Sequence, residues 1–225
     1  THKDFGSGDR ICYHGVMDMF RNPKLAASVY ACEQDEIPVL QITSSMDIGE
    51  HPGCNRGNLY ILSNADSVRM YKNDRFIKEY RPEMSPYKHL KHGPILIDDF
   101  IGDALEKNER FRPKHAKEMA DAMNIVARGS LNHIPKRLYP TALKLALLYH
   151  IDFAEVTKLY TKYIGDWGGT ATVYRFDAIK NGKVIKSVTK EPVNGIRLQA
   201  EADHTNLTEH HSYDVALVRI RAVDA

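Results

Sequence analysis

Apolar and polar positions alternate with two different periods along this chain, and the change of period divides it. From residue 39 to residue 80 the period is two. Val39-Leu40-Gln41-Ile42, Leu59-Tyr60-Ile61-Leu62-Ser63 and Ser67-Val68-Arg69-Met70-Tyr71 read as strands. In the last of these Val68 and Met70 face one way, Arg69 and Tyr71 the other. Lys72-Asn73-Asp74 makes a turn, and Arg75 to Tyr80 returns to complete a hairpin. Between Pro94 and Tyr163 the period becomes about 3.6. Ala116, Met119, Ala120, Met123 and Val126 form one helical stripe, with Gly129 placed to end it. Leu143, Leu145, Ala146, Leu147 and Leu148 form a second helix after Pro140. A third opens at Asp152, which can accept a backbone N–H bond while Glu155 reaches back, and its apolar face is Phe153, Val156, Leu159, Tyr160 and Tyr163. From Thr172 the period returns to two, through Val173–Phe176, Lys183–Val188 and Ile196–Ala200, and Asn181-Gly182 joins the first two as a hairpin. A last strand follows Ser212-Tyr213-Asp214, where Tyr213 suggests a tyrosine corner of the immunoglobulin-like kind.

Before the first strand, Gly6-Ser7-Gly8 and Tyr13-His14-Gly15 lead to Pro23-Lys24-Leu25-Ala26-Ala27-Ser28-Val29-Tyr30-Ala31. Pro23 suits the first turn of a short helix there. Asp47 to Asn58, with three glycines, Pro52 and Asn55, is a loop. The last alternating run stops at Ala225 in mid-element, and the chain opens on Thr1 rather than Met, so we expect a piece of something longer.

Composition narrows the choices. The 225 residues carry 31 Lys+Arg against 29 Asp+Glu, and the basic residues are not concentrated into a phosphate-tracking groove, which argues against a nucleic-acid partner. No run approaches the ~18 apolar residues of a membrane span. Cys12, Cys32 and Cys54 form neither an even disulfide framework nor a CxxC knuckle and read as buried free thiols, pointing to a reducing, cytoplasmic setting.

Three segments carry a family resemblance. Gly15-Val16-Met17-Asp18-Met19-Phe20-Arg21-Asn22-Pro23-Lys24 resembles the stretch that leaves the last strand of the catalytic barrel in glycoside hydrolase family 2, the β-galactosidase and β-glucuronidase group. Ser63-Asn64-Ala65-Asp66-Ser67-Val68, with Tyr71-Lys72-Asn73, is similar to the signature of the sandwich that follows that barrel. Ser212 to Asp224 resembles the final sandwich of a bacterial subgroup. Two departures stand out: Ser45 to Glu50 lacks the aromatics of the family's Trp-Asn-Trp run, and Asp74 replaces the usual turn glycine.

The resemblance implies a mainly β chain with a helical insert: the end of a (β/α)8 barrel over 1–36, an immunoglobulin-like β-sandwich over 37–93, a helical insert over 94–169 and a second β-sandwich segment over 170–225. It implies a bacterial parent that hydrolyses terminal β-galactosides or β-glucuronides with retention. Such a reaction needs two carboxyl groups roughly 5–5.5 Å apart. The resemblance puts both on barrel strands before residue 1, so we expect no catalytic residue here, no cofactor and no metal. The expected role is structural support, with the catalytic barrel as partner. A carbohydrate-binding module, a β-sandwich interaction domain and a homo-oligomer stay open.

The chain's own residues supply few rivals. Asp98, Asp99 and Asp103 form the densest acidic cluster and read as helix-start caps. Glu50 beside His51 reads as a loop charge. His89 and His92, and His204, His210 and His211, lack metal-ligand spacing. No Gly-x-Ser-x-Gly elbow or phosphate-cradling GxxxxGK[ST] loop occurs. Trp167, flanked by glycines, is a candidate platform for a sugar ring. Tyr13 and His14 are candidate lining of the intact enzyme's pocket, at the mouth of the implied barrel.

Overall fold

The computed structural model describes residues 15–18, 22–46, 56–109, 111–129, 134–165, 171–192 and 195–224. Among these the chain is mainly β, with nine strands in three antiparallel sheets and five α-helices. It divides into two compact units, Thr1–Glu191 and Pro192–Ala225.

Among the described residues of the first unit, the first helix is α1, Leu25–Ala31. Pro23 does not start it as expected: Lys24 is the N-cap, and Pro23 pairs instead with Met17 as an isolated antiparallel bridge. Strands β1 (Leu40–Ile42), β2 (Tyr60–Ser63) and β5 (Ile95–Leu96) form one sheet in the order β1-β2-β5. β3 (Ser67–Lys72) and β4 (Arg75–Tyr80) form the predicted hairpin. Asn73 and Asp74 both take positive φ, 48° and 61°. A two-residue turn with this twist requires that of both central residues, and Asn and Asp are the non-glycine residues that tolerate it best, which is why Asp74 can stand where glycine is usual.

The strands after residue 172 do not begin a separate sheet. β6 (Tyr174–Lys180) pairs along the whole of β3, from Ser67 opposite Ile179 to Lys72 opposite Tyr174, and β7 (Lys183–Lys190) follows it across Asn181-Gly182. The sheet order is β4-β3-β6-β7. Strands from before and after the helical block thus lie in one sheet. Alternation alone identifies these strands but carries no information on which partner, a hundred residues upstream, they pair with.

The helical block is thus inserted between two strands of one sheet. It comprises α2 (Ala104–Glu109), α3 (Pro113–Arg128), α4 (Tyr139–Tyr149) and α5 (Phe153–Tyr163). Ala116, Met119, Ala120 and Met123 are buried as the stripe predicts, with Ala127 completing it. Gly129 ends α3, though in an extended rather than left-handed conformation, and its N–H reaches Ile125 O at 3.0 Å. Asp152 caps α5 by accepting the Glu155 N–H at 2.7 Å. Block and sheets share one hydrophobic cluster, in which Met119, Met123, Leu159 and Tyr163 join Ile61, Met70, Phe100 and Phe176.

The second unit is the hairpin of β8 (Ile196–Ala202) and β9 (Val218–Asp224). Register places Leu198 opposite Ala222 and Ala200 opposite Ile220, giving one apolar face, while Arg197, Glu201, Arg219 and Arg221 occupy the other. Every residue of β8 is exposed. Tyr213 is 82% exposed, so its ring is not buried as a tyrosine corner would have it, and the strand begins at Val218 rather than just after Asp214.

Candidate functional site

Tyr13, His14 and Trp167, together with Glu50, Cys12 and Cys54, lie outside the described residues. The chemistry that can be placed lies elsewhere.

The acidic cluster is used within the fold. Asp99 Oδ1 accepts from the amides of Ile101 (2.9 Å) and Gly102 (3.0 Å) and from Asn124 Nδ2 (2.9 Å). Asp98 pairs with Lys78 at 2.7 Å, and Asp103 with Arg75 and Lys107. The hydrogen bond from Lys107, seconded by Arg75, holds the Asp103 carboxyl below the usual carboxylate range. All three carboxyl groups are thus engaged by cations or amides of the fold. Among the described residues no three His, Cys, Asp or Glu side chains are arranged to hold a metal ion. Cys32 is fully buried, and burial pushes its thiol up to about 12, which leaves it inert as a nucleophile.

One buried cluster was not anticipated from the sequence. Arg56, 1% exposed, donates to the carbonyls of Met46 and Ile164 and to Tyr174 Oη (3.2 Å), with its guanidinium 5.4 Å from the Tyr174 ring centroid. Lys72 ends beside the same ring, 5.7 Å from its centroid, and donates to Tyr163 O. The two cations therefore satisfy the last carbonyls of α5, where the helix dipole favours positive charge. Desolvation, with Arg56 nearby, lowers Lys72 to about 7. This joint couples the helical block to the sheet. The alternating pattern of β3 places Lys72 at a strand end but gives no sign that its ammonium turns inward.

Apolar surfaces are the other feature. None of the α1 residues is buried, and around it Met17, Leu25, Tyr30 and Ile37 are exposed by 46%, 47%, 72% and 69%. Beneath α1 lies an open cleft of about 240 Å3, lined by Leu25, Val29, Tyr60, Leu62, Tyr87 and Pro94 among others. On α4, Leu145 is buried but Leu143, Leu147 and Leu148 are 61%, 66% and 63% exposed. Between α3, α4 and α5 runs a second apolar cleft of about 700 Å3.

A mainly β chain with an inserted helical block defines, at the coarse level, a β-rich region. Comparison with known proteins adds its kinship: part of this chain is related to β-galactosidases. A stretch of 101 residues, 44% of the chain, is 45% identical to a β-galactosidase of Thermoanaerobacterium thermosulfurigenes. A stretch of 98 residues, 42% of the chain, is 40% identical to a β-galactosidase of Thermoanaerobacter pseudethanolicus. The matched stretches make up only 14% and 13% of those proteins, so each relative is far longer than the part it shares. No protein-family model matches the chain.

Proposed function

We propose that this chain is a non-catalytic, C-terminal part of a family 2 glycoside hydrolase whose parent enzyme removes terminal β-galactosyl residues with retention. Its work is support: it carries the end of the catalytic domain on immunoglobulin-like sheets and holds it in place. The observation that carries this reading is the α1 face. Met17, Leu25, Tyr30 and Ile37 are apolar side chains left exposed in and beside α1, in or next to the segment that resembles the end of a family 2 barrel, in a chain of which 101 residues are 45% identical to part of a β-galactosidase. Fully burying a wholly exposed side chain of this size is worth roughly 1.5–3 kcal/mol, and these are about half to two-thirds exposed, so a partner surface over α1 would gain a corresponding fraction of that from each. The bacterial β-galactosidase relatives favour galactoside over glucuronide as the parent's substrate.

The test is turnover of aryl β-galactosides and β-glucuronides by the purified chain. Rates at the buffer background support the reading, and robust turnover refutes it. Titration with galactans in the same preparation separates support from sugar binding: no saturable change in Trp167 fluorescence is expected, whereas saturable quenching would assign the chain to carbohydrate binding.

A further inference from the structure

We propose that Asn64 is a positioning residue that locks the connector at residues 34–39, and with it the α1 segment, in one orientation on the sheets. Asn64 is 1% exposed, at the corner between β2 and β3. Its Oδ1 accepts the Val39 N–H at 2.8 Å, and its Nδ2 donates to Gln34 O at 2.7 Å and Ile37 O at 2.9 Å. One side chain thereby makes three hydrogen bonds to the backbone that leads from α1 into β1, and all three are to residues 25 to 30 positions away in sequence. Only an amide side chain can accept and donate in this pattern; a carboxylate can only accept and an aliphatic chain can do neither.

The connector is also folded to meet Asn64. Gln34 Oε1 accepts the Glu36 and Ile37 amides at 2.7 and 2.8 Å, while its Nε2 donates to Ala31 O and Ile37 O at 3.0 and 2.7 Å. Asp35, at the outer edge of this loop, pairs with Lys91 and, at 3.5 Å, with Lys180 of β6, and Lys180 also donates to Asp35 O at 3.3 Å. The neighbouring Glu33 accepts the His92 amide at 3.3 Å. Asp66, two residues beyond Asn64, accepts the Asn181 amide at 2.7 Å and donates its own amide to Ile179 O at 2.9 Å. The Ser63-Asn64-Ala65-Asp66 stretch is therefore a knot that ties the connector, the β2–β3 corner and the β6–β7 turn together.

Such a knot has a use. A short helix with no buried residue has little of its own to fix its direction. Once the connector is pinned, a body seated on α1 is carried by the sheets rather than tethered to them. This consequence rests on the reading that the α1 face meets the rest of a larger enzyme. The lock itself does not.

Hydrogen exchange on the intact chain tests it, with Asn64→Ala and Asn64→Asp compared with the parent sequence. In Asn64→Ala the Glu36, Ile37 and Val39 amides are expected to exchange about fivefold faster or more, the factor that loss of one neutral hydrogen bond supports. The Met70 and Phe176 amides of β3 and β6 should keep their protection. Asn64→Asp keeps the acceptor for Val39 but sets a carboxylate against two carbonyls, so Glu36 and Ile37 should speed up while Val39 remains protected. The proposal is overturned if the connector amides are unchanged in both variants, or if they rise only in step with Met70 and Phe176, which would make Asn64 a general stabiliser. Complex formation through α1 is measured separately, so the lock and the docking reading fail independently.

Discussion

Gly102 and Lys72 illustrate how much rests on single side chains. Gly102 sits at φ +60°, and a Cβ there would lie 3.1 Å from Ile77 O and 3.2 Å from Ile77 Cα. Backbone cannot yield as a flexible side chain can, and the conformation is itself costly for an L-residue. Gly102→Ala is expected to destabilise the first unit by about 1–3 kcal/mol, measured as a lower urea midpoint. Lys72 acts through its proton. Below about 7 it is charged in folded and unfolded chain alike, and the full cost of enclosing the charge is present. Between about 7 and its ordinary 10.5 the folded form has shed a proton that the unfolded chain still holds, so stability rises with pH across that window. Denaturation series at pH 6, 7, 8 and 9 should show the rise, and Lys72→Met should flatten it. A wild-type curve that is level or falling over that range contradicts the enclosed-lysine account. Residue-scale chemistry of this kind was only partly visible beforehand. The capping role of Asp152 and the structural role of Asp99 follow from local sequence, because caps act over three residues. The Arg56–Lys72–Tyr174 joint does not, because sheet pairing sets Lys72 opposite Tyr174 and Arg56, 118 residues from Tyr174, reaches them from outside the strands.

At the scale of elements, periodicity located most strands and helices within a residue or two. Hairpin chemistry at Asn73-Asp74 and Asn181-Gly182 was legible because both central residues of each turn must take positive φ, which few residue types accept. Pairing between distant strands was not legible: β3 and β6 are separated by a hundred residues and a helical block, and nothing local distinguishes the strand that closes an old sheet from one that starts a new sheet. The same holds for α4, whose leucines mark a helix but not which of its faces is covered, and three of them are exposed. Because Leu143 and Leu147 are exposed, Leu143→Lys with Leu147→Lys should leave the thermal midpoint of the isolated chain within about 2 °C of wild type while reducing self-association. A large drop would place these leucines in the core instead. Asp152→Ala, by contrast, should lower stability by about 1 kcal/mol, with the first-turn amides of α5 exchanging faster.

For the molecule as a whole, two units of unequal cohesion set its behaviour. The first shares one hydrophobic cluster across both sheets and the helical block, while the second is a two-stranded hairpin with every residue of β8 exposed. An isolated hairpin is marginal in water, so exchange protection in β8 and β9 should be far weaker than in β3 and β6. Apolar side chains are exposed in and beside α1, on α4 and on the β8–β9 hairpin. The support reading proposed above rests on the partial relation to β-galactosidases and on the apolar side chains exposed in and beside α1. The most direct measurement is calorimetric titration of this chain with a β-galactosidase catalytic portion prepared without the matching region, using wild type and Leu25→Asp with Tyr30→Asp. The account predicts saturable one-to-one binding that the double substitution abolishes. Absence of binding by the wild type, or equal binding by the double variant, would contradict it.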